Sequence, residues 1–307
     1  MRGILWVGLS GILFSALNAA TFYPARHLDP YMMPTLRYGF GALFLLPIFL
    51  RSGLAPLRTE RLGQHAIRSA VHSGGMVLWF IGLPFVSLAD ITALGFTGPI
   101  FVTIGAALFL GEIVRLRRWA AVMVGFLGAV VIIRPGFESV SFATIAILAS
   151  TPLFSASNLM AKSLARTESA DTIVVYQSCL IALLTLPLAL WNWQTPSWSD
   201  CGWFLLAGAF GTAGHLVMQR GYHLADITVL QPIGFLSLIW NTILGYLLFH
   251  QQPDIWTYVG AAIIFASAMY ISHREAVRRA KTRSAEAPAN PWDSTPAEVA
   301  GEAPAKT

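Results

Sequence analysis

The sequence predicts an all-α polytopic membrane protein with ten transmembrane helices, arranged as two inverted five-helix repeats. Three observations support this fold class: long apolar segments, a one-sided distribution of Lys and Arg, and an internal repeat. Of the 307 residues, 55% are hydrophobic and only 11% are charged, whereas soluble domains carry about 25% charged residues. This composition disfavours a soluble enzyme, a disordered protein and a disulfide-rich scaffold.

Ten apolar segments are expected to cross the bilayer as helices, because the hydrocarbon core offers no water to unpaired backbone groups. In chain order they are Ile4–Tyr23, Thr35–Leu50, Ser69–Leu88, Ile91–Leu110, Trp119–Ile133, Phe142–Ala161, Thr172–Trp191, Gly202–Met218, Ile227–Phe249 and Ile255–Ser272. A signal peptide is the alternative for the first segment, but its length and its internal copy favour a membrane span.

The segment after Ser272 changes character. His273–Arg283 is basic, and Ser284–Thr307 is rich in Ala, Pro and Glu without apolar periodicity, which is typical of disorder. We therefore expect three regions: a first five-helix repeat over residues 1–137, a second over residues 138–272, and a basic and then disordered cytoplasmic tail over residues 273–307.

The distribution of Lys and Arg predicts the orientation. If the N-terminus is cytoplasmic and the spans alternate, 17 of the 20 Lys and Arg residues lie on the cytoplasmic side, as the positive-inside rule requires. Both termini are then cytoplasmic, in a multi-pass protein of a bacterial-type inner membrane. The net charge of +5 therefore reflects orientation, and we expect no nucleic-acid partner.

Short segments recur in the same order in both halves of the chain. Leu13–Asn18 (LFSALN) returns as Leu153–Asn158 (LFSASN), and Leu88–Leu94 (LADITAL) returns as Leu224–Leu230 (LADITVL). Each copy contains five predicted spans, and an odd number inverts the second copy in the membrane. Inverted repeats are typical of secondary transporters, whose substrate site lies near the midplane between the two halves.

Several motifs carry a family resemblance, and they are Ser87–Leu94, Thr97–Ile100, Phe109–Glu112, Gly125, Gly128, Ile133–Gly136, Leu224–Leu230, Gln231-Pro232, Pro253-Asp254, Gly260 and Arg274-Glu275. Together they resemble the ten-span EamA family of the drug/metabolite transporter superfamily. The resemblance implies a secondary carrier. Most such carriers export amino acids or other small metabolites. Some relatives import S-adenosylmethionine or riboflavin, and others export opine-type metallophores.

One motif departs from the family. The Gly-Glu pair that usually follows the ninth span is replaced here by His250-Gln251-Gln252. If that glutamate helps to close one gate in relatives, the second gate of this chain is built differently.

Polar and aromatic residues within the spans are candidate substrate ligands, because a polar group in the bilayer needs a partner or a wet cavity. The candidates are Asn18, Arg37, Trp79, Thr92, Thr97, Asn158, Tyr176, Gln177, His215, Gln231, Trp240 and Asn241. Asn18 and Asn158 either line a cavity or bond between helices. Arg37 either binds a substrate carboxylate together with Gln177 or reaches the lipid headgroups.

Gating and capping roles are expected at the ends and middle of the spans. No carboxylate lies mid-span, so His72 and His215 are the candidates for proton coupling. Glu112 either forms a gating ion pair or belongs to a solvated interfacial cluster. Asp90 and Asp226 are expected to be helix N-caps. We expect no catalytic residue, metal site or cofactor, since no Cys/His ligand cluster occurs.

The favoured function is export of a small polar or amphipathic metabolite, an amino-acid-like compound or an opine-type metallophore, by alternating access. Import of a cofactor-like molecule such as S-adenosylmethionine or riboflavin is the alternative. A membrane enzyme is disfavoured because HExxH, GxSxG and paired carboxylates are absent. A scaffold is disfavoured because the loops are short. We expect a small-molecule substrate and the lipid bilayer as partners of a monomer or homodimer.

Overall fold

The computed structural model describes residues 2–98, 100–101, 104, 116–133, 141–224, 234 and 236–286, and within these ranges all regular secondary structure is helical. The α-helices of this part are α1 (Arg2–Ala25), α2 (Met33–Leu43), α3 (Leu46–Ser52), α4 (Leu62–Gly82), α5 (Leu88–Gly95), α6 (Leu116–Ile133), α7 (Phe142–Leu164), α8 (Ala170–Trp191), α9 (Trp198–Leu224), α10 (Leu236–Phe249) and α11 (Ile255–Glu286). Short 3-10 turns lie at Ala55–Leu57 and Leu83–Phe85.

The protein is a multi-pass membrane protein. Six described segments are long and apolar enough to cross a bilayer, and they are Leu5–Ala25, Met33–Ser52, Leu62–Phe85, Phe142–Leu164, Ala170–Trp191 and Trp198–Leu224. Shorter apolar helices occupy Trp119–Ile133, Leu236–Phe249 and Ile255–Tyr270. The fourth and ninth predicted spans are described only in part, so the number of ten spans stays a prediction.

Several helix bounds differ from those predicted. The second predicted span is divided into α2 and α3 by a turn at Phe44 and Leu45, because Pro47 has no N–H to bond the carbonyl four residues earlier. Helix α4 begins at Leu62 rather than near Ser69. Helix α11 runs to Glu286, so the first residues of the expected disordered tail are helical. Residues 273–286 are rich in Ala, Arg, Lys and Glu, which favour helix.

The central helices pack across the two halves of the sequence. Helix α1 lies along α9, and α4 lies along α7. Phe14 of α1 packs on Gly214 of α9, and Phe154 of α7 packs on Gly75 of α4. At either glycine a Cβ atom would lie 2.9 Å from the phenylalanine ring. Only glycine therefore allows these two rings to lie against the neighbouring helix backbone.

The peripheral helices α6 and α11 form a second glycine contact. A Cβ atom on Gly128 would lie 2.9 Å from the Gly260 carbonyl oxygen, and one on Gly260 would lie 2.6 Å from the Gly128 carbonyl oxygen. Small residues let membrane helices approach this closely, and van der Waals packing then holds them together. The glycine contacts thus hold α1 against α9, α4 against α7 and α6 against α11.

Candidate functional site

A cavity of about 430 Å³ lies between helices from both halves of the chain. This volume is within the range of roughly 300–1,000 Å³ that is typical of small-molecule pockets. Helices α1, α4, α5, α7, α9 and α10 contribute to its wall. Its aromatic side chains are Phe14, Trp79, Phe96, Phe154 and Tyr222, its amides are Asn18, Asn158 and Asn241, and its hydroxyl groups include Ser10, Thr92, Ser150, Thr151, Ser155 and Ser237.

The amide groups of the wall differ in how they are held. The Asn18 Nδ2 donates to Asn241 Oδ1 at 3.2 Å. The Asn241 Nδ2 in turn donates to Ser15 Oγ and to the Ser237 carbonyl, both at 2.9 Å. The side chain of half-buried Asn158 makes no hydrogen bond to another described residue. Asn18 and Asn241 therefore stabilise the wall, whereas the Asn158 amide is available to a ligand.

The structure brings together five of the predicted substrate residues on this wall: Asn18, Trp79, Thr92, Asn158 and Asn241. Thr97 is fully buried and donates to the Leu94 carbonyl at 2.7 Å. Tyr176 donates to the Leu57 carbonyl at 2.7 Å and stacks on His65. Trp240 is 39% exposed.

These three side chains do not line the cavity. Their placement differs from the expected shared wall, because a polar or aromatic side chain within a span can also face a neighbouring helix or the lipid. Predicted residues Gln231, Glu112 and Asp226 lie outside the described residues.

The cavity wall carries no formal charge among the described residues that line it. Aromatic faces can stack on a planar ligand, while amides and hydroxyl groups can bond its polar edge. A strongly ionic ligand would lack a counter-charge on this wall. The wall therefore suits a neutral molecule with a flat aromatic part and several hydrogen-bonding groups.

A cluster of buried polar side chains lies behind two of the wall aromatics. It joins α2, α4, α8 and α9, and we call it the buried polar cluster: Arg37, Tyr38, Arg68, His72, Gln177 and His215. The Phe154 ring contacts His72 with 5.0 Å between ring centroids, and the Phe14 ring contacts His215 at 4.9 Å. The two phenylalanine rings therefore separate the cavity from the buried polar cluster.

His72 is held through both ring nitrogens. Its Nε2 lies 2.9 Å from the Tyr38 hydroxyl, and its Nδ1 lies 3.1 Å from Ser157 Oγ. The His72 and His215 ring centroids are 5.9 Å apart. The two histidines proposed for proton coupling thus lie side by side, and neither lines the cavity.

Gln177 joins three members of the cluster. Its Oε1 accepts from Arg68 Nη2 at 2.6 Å. Its Nε2 lies 3.4 Å from the Tyr38 hydroxyl and 3.3 Å from His215 Nε2. Arg68 also donates from Nε to the Ser157 carbonyl at 3.2 Å. Gln177 therefore links α4, α2 and α9 from its place on α8.

Arg37 lies inside the helix bundle. Its side chain is 3% exposed, and its guanidinium carbon is 3.8 Å from the centre of the Tyr38 ring, a favourable cation–π arrangement. A Cβ atom on Gly211 would lie 2.8 Å from that guanidinium carbon, so the glycine makes room for the charge. The alternative that Arg37 reaches the headgroups is therefore wrong, because α9 covers it.

Sequence reasoning missed Arg68, Tyr38 and Ser157. The predicted third span begins at Ser69 and so leaves Arg68 in the preceding loop, yet Arg68 is 1% exposed within α4. The sequence does contain a feature that indicates burial of Arg68: His65, Arg68 and His72 have helical spacing, which places them along one side of α4. Such a polar stripe within an apolar helix indicates a face that contacts protein.

The beginning of α5 is capped by Ser87 rather than by Asp90. The Asp90 N–H donates to Ser87 Oγ at 3.1 Å, and the Ser87 hydroxyl donates to Asp90 Oδ2 at 2.7 Å, which is a reciprocal capping arrangement. Asp90 is not the N-cap because it is the third residue of the helix, and its carboxylate reaches back to the Ser87 cap.

Residues near the departure from the family motif also bond to α5. Asp90 Oδ1 accepts from the Thr257 hydroxyl at 2.5 Å, and Gln251 Oε1 accepts from the Leu88 N–H at 3.0 Å. Gln251, which follows the histidine at the usual Gly-Glu position, therefore connects the loop before α11 to the beginning of α5. In the described ranges, no group of three or more His, Cys, Asp or Glu side chains could hold a metal ion.

The chain matches the EamA-like transporter family over residues 1–134 and again over residues 141–273. It is 35% identical to a riboflavin transporter of Rhizobium johnstonii, over 91% of this chain and 93% of the relative. It is 28% identical to an S-adenosylmethionine uptake transporter of Rickettsia felis, over 93% of this chain and 97% of the relative. A crystal structure with 18% identity shares the fold, with a TM-score of 0.62 over 91% of this chain and 98% of that chain.

Proposed function

Because this chain belongs to the EamA-like transporter family, we propose that it carries riboflavin, or a similarly neutral and planar heterocycle, across the bacterial inner membrane by alternating access. Family membership makes the chain a transporter and not an enzyme. The substrate binds in the cavity between the two halves.

The observation that carries the proposal is the absence of a formal charge among the described residues that line the cavity. S-Adenosylmethionine carries a sulfonium cation, and amino acids and opine-type metallophores carry carboxylates. Such charges would be costly to bury against a neutral wall. A flavin has a flat ring for Trp79, Phe14 and Phe154, an edge of carbonyl and N–H groups for Asn158, and a hydroxylated side chain for the serines.

We propose uptake as the physiological direction, in place of the export that the sequence favoured. The Rickettsia felis relative is named for uptake, whereas the Rhizobium johnstonii relative is named only as a transporter. Alternating access is reversible, so the concentration gradient sets the direction in a given cell. If metabolism consumes the substrate inside the cell, its concentration gradient points inward, and the carrier then gives net uptake.

We also propose that the two halves are inverted repeats of five spans each, with both termini cytoplasmic. Two successive family matches and the paired contacts Gly75–Phe154 and Gly214–Phe14 support this arrangement. The contacts relate the third and eighth predicted spans by an offset of 139 residues. Under this offset the counterpart of Trp79 is Met218, which also lines the cavity.

The proposal is tested in a bacterial strain that lacks both riboflavin synthesis and its own riboflavin transporter. Expression of this chain should restore growth at low external riboflavin and should give saturable accumulation of labelled riboflavin. A tenfold excess of S-adenosylmethionine should leave that accumulation nearly unchanged, because the wall offers no counter-charge. Correct insertion in the membrane without growth or accumulation would overturn the proposal.

A further inference from the structure

Two buried arginines, Arg37 and Arg68, have no anionic partner among the described residues. Arg37 is 3% exposed and Arg68 is 1% exposed. In the part of the chain that the structure describes, the one ion pair joins His27 and Asp200, and neither arginine takes part. A guanidinium that is removed from water without an anion is strongly unfavourable, because the arginine stays charged and its N–H groups lose their hydration.

Neutral contacts compensate only part of this cost. Arg68 uses Nε and Nη2 to bond the Ser157 carbonyl and Gln177 Oε1, but its buried Nη1 has no partner. Arg37 lies over the Tyr38 ring, but its buried Nε has no partner. Both arginines therefore keep at least one unbonded donor.

His215 adds a third unbonded donor. Arginine can only donate, so the Gln177 atom that faces Arg68 is the amide oxygen, and the Gln177 nitrogen faces His215 Nε2. That nitrogen donates, so His215 Nε2 accepts and the ring proton of the neutral imidazole lies on Nδ1. The Nδ1 atom is buried without a partner.

The unbonded groups lie in one part of the molecule. The Arg37 guanidinium packs on Gly211, and His215 follows on the same side of α9 one helical turn later. Arg68 joins His215 through Gln177. Gln219 lies a further turn along α9 and is fully buried, with both polar side-chain atoms unbonded. Arg37 Nε, Arg68 Nη1, His215 Nδ1 and the Gln219 amide are thus all buried without a partner, and this part of the bundle holds more unbonded N–H groups than acceptors.

We propose that the buried polar cluster binds one small anion, held by unbonded N–H groups of Arg37, Arg68 and His215. The anion is either inorganic, such as chloride, or the carboxylate of a small solute. Positive charge, excess donors and burial all favour an anion, whereas the cavity wall on the other side of Phe14 and Phe154 is neutral. This site goes beyond the proposed transport of a neutral molecule and does not rest on it.

The test measures binding without transport. The full chain, purified in detergent, is heated in sodium methanesulfonate, whose anion is neither a halide nor a carboxylate, and this salt is replaced stepwise by sodium chloride at constant ionic strength. We expect a saturable rise of about 3 °C in the unfolding midpoint, because a ligand that binds only the folded state stabilises it. A parallel series in sodium formate separates the sources: a rise with formate alone or with both salts assigns a carboxylate-accepting site, and a rise with chloride alone assigns an inorganic one.

Matched variants locate the site. Arg37→Gln and Arg68→Gln should each abolish the saturable rise, whereas Arg26→Gln, which removes an exposed cation, should retain it. Retention of the full rise in both cluster variants would overturn the proposal.

A second measurement needs no variant that might fail to fold. Equilibrium binding of radioactive chloride and of labelled formate to the wild-type protein should give about one bound anion per chain for at least one of them. The proposal is wrong if neither anion binds and neither shifts the midpoint. Because these readouts need no riboflavin, a failure here is distinct from a failure of the transport proposal.

Discussion

The side of the helix on which a polar or aromatic residue lies decides whether its side chain reaches the cavity, a neighbouring helix or the lipid. Asn158 and Trp79 reach the cavity, while Trp240, chosen by the same reasoning, is exposed. A span surrounded by lipid and protein carries apolar residues on most of its sides, so periodicity fixes its rotation poorly. Arg68 was missed for another reason: the end of a span is uncertain by several residues, and a buried charge close to it is read as a loop charge.

At this scale the sharpest test is Asn158→Ala. The Asn158 amide has no partner within the described part of the chain, so its loss should remove a bond to the substrate and leave the fold intact. Removing one neutral hydrogen bond costs about 1 kcal/mol, which corresponds to a KM for riboflavin uptake that rises roughly fivefold.

The matched control for this prediction is Asn192→Ala, since Asn192 is exposed and distant in the chain from the wall residues. Its KM should equal that of the wild type. An unchanged KM in Asn158→Ala, with normal protein levels, would remove Asn158 from the binding site.

At the scale of helices, the sequence predicted which segments are helical better than it predicted where each helix begins and ends. The apolar segments correspond to helices because a bilayer leaves the backbone no other partner. The division between α2 and α3 follows from Pro47, a signal that was present in the sequence. The contact of Gly128 with Gly260 needed the structure, since the sequence does not show which helices meet.

The close contact between α6 and α11 predicts that an alanine at Gly128 lowers the stability of the protein, whereas an alanine at Gly39 does not. Gly128→Ala should destabilise the protein by about 1–3 kcal/mol, because the added methyl would lie 2.7 Å from an Ile264 side-chain carbon and 2.9 Å from the Gly260 carbonyl oxygen. The readout is the thermal unfolding midpoint in detergent.

Gly39→Ala provides the comparison within α2, where nothing lies within 4 Å of the added methyl. It should leave the midpoint unchanged or raise it slightly, because alanine favours helix over glycine. Equal midpoints for the two variants would mean that α6 and α11 do not meet as described.

At the scale of the whole molecule, the two halves enclose a neutral cavity and keep two buried cations behind its aromatic wall. The sequence predicted a membrane protein from its low charge and a site between the halves from its repeat. It also pointed to a substrate held by amides, hydroxyls and aromatics, with one Arg and one His. The structure divides these groups between two places, because Phe14 and Phe154 lie between the cavity and the buried polar cluster. The sequence alone does not show which of these groups line the cavity and which belong to the buried polar cluster.

The central claim is that the substrate binds in the cavity, and substrate protection of a single cysteine tests it most directly. In a background with Cys179→Ser and Cys201→Ser, the variant Ser155→Cys places the only thiol on the cavity wall, and Ser197→Cys places it at the end of the bundle as a control. The rate of modification by N-ethylmaleimide is measured with and without riboflavin. We predict that saturating riboflavin slows modification of Ser155→Cys at least tenfold and leaves Ser197→Cys unchanged. Equal rates at Ser155→Cys with and without riboflavin, in protein that still transports it, would contradict the account.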